Sequence, residues 1–99
     1  MTIKMTKLKW KELVSYYAKK LNLSEAIQNK SVKMISKIHN SGMYMSKGKF
    51  AGIMYIYAVL GEERKSQRVF AEAFDIHEAT LRKSYKWILD SYKFPEARA

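Results

Sequence analysis

The chain has no cysteine, one proline and only four glycines. Without cysteine there is no disulfide framework, no thiol nucleophile and no Cys-based zinc site. The scarcity of proline and glycine leaves room for long helices. Long hydrophobic runs are also missing. The longest uncharged run, Phe50 to Gly61, is 12 residues, too short to span a bilayer. The amino-terminal stretch, Met1 to Lys11, alternates lysine with apolar residues and has no signal-peptide core. No segment alternates with period two between turn signals, so no sheet is expected. There is no phosphate-binding loop, no paired catalytic carboxylates and no nucleophile triad, which argues against an enzyme. The two histidines, His39 and His77, fall in different segments without acidic companions, so neither a metal nor another cofactor is expected.

What is present points to a folded, cationic domain. The chain has 99 residues and is 47% hydrophobic, enough for one core and one domain. That domain spans residues 1–99, with a basic arm at 1–7 and a tail at 93–99. Lysine and arginine number 19 against 9 acidic residues, a formal charge of +10. Such an excess favours polyanionic partners, although charge can also serve only solubility, and the lack of cysteine fits an intracellular location.

Five amphipathic segments follow one another. Helix 1 is expected over Leu8–Leu21, with Trp10, Leu13, Val14, Tyr17 and Leu21 on one face. Asn22 or Ser24 would cap helix 2, with Glu25 placed as a capping-box partner of Asn22. Helix 2 runs to about His39 and faces inward through Ile27, Ser31, Met34, Ile35 and Ile38, before Gly42 stops it. A loop over Gly42–Lys49 carries Met43, Tyr44 and Met45, and Lys47 and Lys49 within it could hold phosphate. Helix 3, about Phe50–Leu60, is apolar all round and belongs at the centre of a bundle; Ala51 and Gly52 would allow close helix approach. A charged connection, Gly61 to Lys65, leads to Ser66, a good cap for helix 4, which would bury Val69, Phe70 and Ala73. Helix 5, Glu78–Tyr92, has Leu81, Tyr85, Ile88, Leu89 and Tyr92 as its core face, and residues from Pro95 onward are expected to fray.

Residues 66–86 carry the functional signal. A short helix ends near Phe74, the turn Asp75-Ile76-His77 follows, and a second helix begins with small and cationic residues. That is the layout of a helix-turn-helix, whose second helix can enter the major groove of DNA. At about 100° per residue, Ala79, Arg82, Lys83 and Lys86 share the arc opposite Leu81, Tyr85 and Ile88. Arginine can engage both acceptors of guanine, and alanine can touch a thymine methyl. Lys83 and Lys86 suit phosphates. An ordinary solvated cationic face would show the same spacing. Arg64, Lys65 and Arg68 surround the start of helix 4 and could hold a phosphate or simply be solvated. Lys4, Lys7, Lys9 and Lys11 read as a mobile basic arm. His77 is a poor cap within reach of a phosphate. Thr80 is expected to bond back to a carbonyl one turn earlier, in a supporting role.

The same stretch resembles the transcription factor IIB family, eukaryotic or archaeal, and within it the second, carboxy-terminal cyclin-like repeat. Gln67, Ala71, Glu72, Thr80, Arg82, Tyr85 and Lys86 match that family's motif directly, Ser66 replaces its Thr, and Ile76 and Leu81 agree in kind. Tyr17 to Leu23 is similar to the repeat's opening helix, and Met54-Tyr55 stands where the family has Ile-Tyr. The likeness covers about residues 8–93 and is specific only in 66–86. The family's turn Gly is Asp75 here, its Thr cap is His77, its Val is Ala79, and its Gly-Lys-Ser-Pro entry to helix 3 is not recognisable around Gly48-Lys49.

The resemblance implies an all-α, single five-helix cyclin-like repeat with a helix-turn-helix formed by helices 4 and 5. It implies binding of double-stranded promoter DNA next to the TATA box through helix 5, in transcription initiation, in a nucleus or archaeal nucleoid. TATA-binding protein and RNA polymerase are the further partners it implies, and no membrane is involved. A cyclin-like protein-interaction module without specific DNA binding is the alternative. The all-apolar helix 3 yields a direct test. Ile53→Asp is expected to unfold the chain by burying an unpaired charge, seen as loss of helical circular dichroism.

Overall fold

A computed structural model describes residues 7–42, 45–92 and 94. These residues form α1 (Lys7–Leu21), α2 (Glu25–Asn40), α3 (Lys47–Leu60), α4 (Gln67–Phe74) and α5 (Glu78–Ser91), with no strand among them. The all-α, five-helix class expected from the sequence is what the chain adopts. The outer segments of the arm and tail, and Met43 and Tyr44 of the loop, lie outside the described residues.

Helix α3 is the axis of the bundle. Every residue from Phe50 to Ala58 is buried, as its all-apolar sequence requires. It packs against α2, α4 and α5, while α1 lies across α2 and α4. The inner face of α2 is the expected set, Ile27, Ser31, Met34, Ile35 and Ile38. On α1, Ala18 joins Trp10, Val14 and Leu21 in the core. Met45 and Phe94 are buried too, and the Phe94 ring lies 5.3 Å from that of Tyr57. Part of the expected tail therefore belongs to the core.

Several boundaries differ from expectation. Helix α3 begins at Lys47, not Phe50, because Ser46 caps it by accepting the Lys49 N–H at 3.3 Å. Lys47 and Lys49 thus lie on its first turn rather than in a loop. The Asn22–Glu25 capping box does not form. Asn22 sits in the left-handed region at φ 56°, ending α1, and Ser24 caps α2 alone. The reciprocal partner comes from far along the chain. The Ser24 N–H donates to Glu63 Oε1 at 2.7 Å, and the Ser24 hydroxyl donates to Glu63 Oε2. Val69 and Leu89 are 44% and 45% exposed instead of buried. Val69 falls on the outer side of α4, away from the arc of Phe70, Ala73 and Phe74. Leu89 lies beyond the reach of α4, whose first residue, Gln67, already meets Tyr85.

Helices α3 and α5 approach each other closely. Gly48 and Gly52, one turn apart, both face α5. A Cβ on Gly52 would stand 3.0 Å from the backbone N of Tyr85 and 3.3 Å from the carbonyl carbon of Ser84. A Cβ on Gly48 would stand 2.7 Å from Ser84 Oγ, a side-chain atom that can rotate away. Gly52→Val is therefore expected to cost about 2–3 kcal/mol by overpacking. Gly48→Ala combined with Ser84→Ala should melt close to the parent, and thermal unfolding of the two proteins checks the contrast.

The Ser24 hydroxyl, then the Ser24 N–H, holds the Glu63 carboxyl below the ordinary carboxylate range, with Lys65 adding to the shift. Because the folded value is depressed, this contribution to stability is present above the ordinary Glu value of 4.5 and is lost as pH falls through the folded value. Acidification below that range should lower the melting temperature of the parent more steeply than that of Glu63→Gln.

Candidate nucleic-acid interface

Helices α4 and α5 are joined by three residues, and the geometry of the joint follows from the end of α4. Asp75 adopts the left-handed conformation, φ 55° and ψ 51°, as a residue replacing glycine there must. Its N–H reaches back to Glu72 O at 3.2 Å, and the Ile76 N–H reaches Ala71 O at 2.9 Å. These bonds satisfy the last carbonyls of α4 and turn the chain into α5. At the start of α4, Ser66 accepts the Val69 N–H at 3.1 Å. Lys20 on α1 donates to Ala73 O at 3.0 Å, and Tyr17 stacks on Phe74 with ring centroids 3.8 Å apart. Helix α4 is therefore braced from behind by α1. His77 occupies the cap position of α5 and makes no side-chain capping bond, as expected of a weak cap.

Only Leu81 and Ile88 of α5 are fully buried. They face α3, and the opposite side presents Ala79, Lys83 and Lys86, all exposed. Asp90 lies on the same outward line one turn beyond Lys86, so the cationic arc is confined to the first part of the helix. Arg82 stands at the edge of this arc that leans over α4. Its Nη1 donates to Gln67 Oε1 at 3.3 Å and lies 4.0 Å from Glu78 Oε1. Gln67 Nε2 donates in turn to the Tyr85 hydroxyl at 3.2 Å. The Tyr85 ring packs 5.0 Å from Tyr55 of α3, which meets Phe70 of α4 edge-on at 5.2 Å. A continuous line of contacts thus runs from the core to the guanidinium.

The other edge of α5 leans over the start of α3. Thr80 lies there; its back-bond to a carbonyl is not formed, and its methyl stands 3.3 Å from the Cβ position of Gly48. Lys49 Nζ lies 5.3 Å from the centroid of the Trp87 ring. Around α4 the sequence-expected cluster is looser. Arg64 is exposed and Lys65 half-buried. Arg68 turns along its own helix to Glu72, 3.0 Å away, in an ion pair open to solvent. Such exposed pairs are weak and separate at little cost. His39 is remote in sequence and role, its ring 4.4 Å from Trp10 at the end of α2.

The structure therefore brings Arg82, Ala79, Lys83 and Lys86 onto one exposed face of a helix held by two others. Arg68 lies on α4, and Arg64 and Lys65 in the connection before it. Glu78 and Trp87 carried no weight in the sequence reading, and Gly48 was given no contact there. Gln67 was a motif match whose partner, 15 residues away, only the fold supplies. No helix among the described residues is long and apolar enough to cross a membrane.

Comparisons with known proteins agree with this architecture. The family model of the transcription factor TFIIB repeat matches residues 3–91. Transcription initiation factor IIB 2 of Saccharolobus solfataricus is 32% identical over 89 residues, covering 87% of this chain and 30% of that protein. Transcription initiation factor IIB of Methanopyrus kandleri is 35% identical over 78 residues, covering 76% of this chain and 25% of the relative. The namesake of Pyrococcus furiosus is 28% identical over 85 residues, covering 83% and 28%. The chain spans less than a third of the length of these relatives. With a family model covering nearly all of its helical body, the chain belongs to the transcription factor IIB repeat family, a family of transcription factors rather than enzymes.

Proposed function

We propose that this chain is a DNA-binding module of transcription initiation that reads double-stranded promoter DNA beside the TATA box through α5. Arg82 and Ala79 contact base edges; Lys83 and Lys86 hold phosphates; Thr80 and His77 flank them. Arg64, Lys65 and Arg68 offer a second phosphate contact at the start of α4. TATA-binding protein and RNA polymerase are its further partners, and the nucleus or archaeal nucleoid is its place of action. The observation that carries this reading is the exposed arc of Ala79, Arg82, Lys83 and Lys86 on the second helix of a helix-turn-helix, in a chain of net charge +10. The TFIIB-repeat membership supports it.

The competing reading is a cyclin-like protein-interaction module without specific DNA binding. It draws on the exposed apolar side chains Val69, Trp87 and Leu89. Salt separates the two, because phosphate contacts release counterions and affinity then falls steeply as salt rises.

The division of labour along α5 gives the test. Arg82→Ala should cost about 1–3 kcal/mol on a preferred duplex and relax sequence preference. Lys86→Ala should weaken preferred and scrambled duplexes alike and flatten the salt slope by about one unit. Fluorescence anisotropy at several salt concentrations measures both. If neither variant changes binding, α5 is not the recognition helix and the protein-interaction reading replaces this one.

A further inference from the structure

Arginine recognises guanine only when its planar fork is presented edge-on to O6 and N7, and a free arginine on a helix surface samples many rotamers. Arg82 is not free. Its Nη1 donates to Gln67 Oε1 at 3.3 Å, with Glu78 Oε1 4.0 Å from the same nitrogen. Both contacts use one corner of the guanidinium. The opposite edge, Nε with Nη2, makes no contact among the described residues and keeps the two parallel donors that guanine requires.

The grip is itself fixed. Gln67 is the first residue of α4, and its amide has one end on each partner: the oxygen accepts from Arg82 and the nitrogen donates to the Tyr85 hydroxyl at 3.2 Å. Arg82 can only donate, so it draws the amide oxygen toward itself, and the Tyr85 hydroxyl accepts from the amide nitrogen; the Tyr85 ring is seated against Tyr55 of the central helix. Tyr85 and Arg82 lie three residues apart on α5, so one side chain from α4 ties both to a single orientation.

We infer that Gln67 is a specificity-determining positioning residue, which orients Arg82 so that its Nε–Nη2 edge faces a guanine in the major groove. The inference rests on the reading that α5 enters the groove. Gln67 itself touches no base. It removes, before binding, the rotamer freedom that Arg82 would otherwise lose on the DNA, and it penalises sites at which the guanidinium must swing elsewhere. Glu78 lies near the same corner and limits the same swing.

The experiment uses the whole chain and a randomised duplex pool. The parent protein selects an enriched duplex, and a base-shuffled duplex of the same length serves as control. Affinities for both are then measured across a salt series for the parent, Gln67→Met, Gln67→Glu and Arg82→Ala. Gln67→Met keeps the side-chain volume and removes both amide contacts. It should reduce the preference for the enriched duplex about tenfold, within the range of a bidentate guanine contact, and leave the shuffled duplex and the salt slope unchanged. Gln67→Glu keeps an acceptor for Nη1. It should retain the preference while its added negative charge weakens both duplexes together. The double variant Gln67→Met/Arg82→Ala should discriminate no worse than Arg82→Ala alone. If Gln67→Met lowers the melting temperature, Tyr85→Phe takes its place, since it frees the amide while leaving the residue at 67 intact; the same loss of preference is expected.

An unchanged preference in Gln67→Met overturns the inference. So does an equal loss on both duplexes, which would make Gln67 a phosphate contact. If Arg82→Ala loses preference and Gln67→Met does not, the α5 reading stands and the positioning role falls. If the parent enriches no sequence, the α5 reading falls and the positioning role with it.

Discussion

The crossing of α3 and α5 at Gly48 and Gly52 is the constraint on which the rest depends. Helix α5 contributes only two fully buried residues, Leu81 and Ile88. So small an apolar face would hold a helix weakly at ordinary separation, because dispersion and burial both scale with contact. Glycine at both crossing points lets the α5 backbone settle against α3, with Ser84 and Tyr85 over the gap. Close approach supplies contact area that the side chains of α5 do not. It also leaves the outer side of the helix free to carry Lys83, Lys86 and Asp90.

Helix α4 sets the tilt of α5, and it is fixed by long-range contacts rather than by its own length. At eight residues it is short for an autonomous helix. It is fastened by Ser66 at one end, by the left-handed Asp75 at the other, and by Lys20 and Tyr17 of α1 from behind. The same device recurs through the chain. Asn22, Glu62 and Asp75 follow the ends of α1, α3 and α4 in the left-handed region, and none of the three is glycine. Each then returns a backbone N–H five residues to a carbonyl of the helix it ends: Leu23 to Ala18, Glu63 to Ala58 and Ile76 to Ala71. The second of these ends also delivers Glu63 to the cap of α2, so one turn closes two helices.

Electrostatics and shape converge on the same face. The lysines of α5 lie outward because the inward arc is taken by Leu81, Tyr85 and Ile88, and Asp90 ends the cationic line. A point charge on a flexible stem needs no further positioning to meet a phosphate. A guanidinium fork does need it, and Arg82 is the residue of this face whose side chain is gripped from a neighbouring helix. Chemistry that demands direction is tied to the core, and chemistry that demands only charge is left in solvent.

The helical class, the central place of α3, the inner face of α2, the cap at Ser66 and the outward arc of α5 were legible in the amino-acid sequence alone. All are local properties: period, capping chemistry and backbone tolerance act within a few residues. It misplaced what depends on neighbours. Val69 and Leu89 are apolar and were expected inside, but burial requires a covering element: Val69 falls on the outer side of α4, and Leu89 lies past the end of α4. Asn22 has the chemistry of a cap, yet the end of α1 needed it as a left-handed residue. Gly48 looked like loop punctuation until Ser46 started α3 ahead of it and the crossing with α5 made it a contact. Gln67 matched a motif without a stated role, because its partners, Arg82 and Tyr85, belong to the next helix. Only the packing angle of α4 on α5 brings those three side chains together. Tertiary structure therefore decided how the arginine is aimed, since aim is a relation between elements that no single segment encodes.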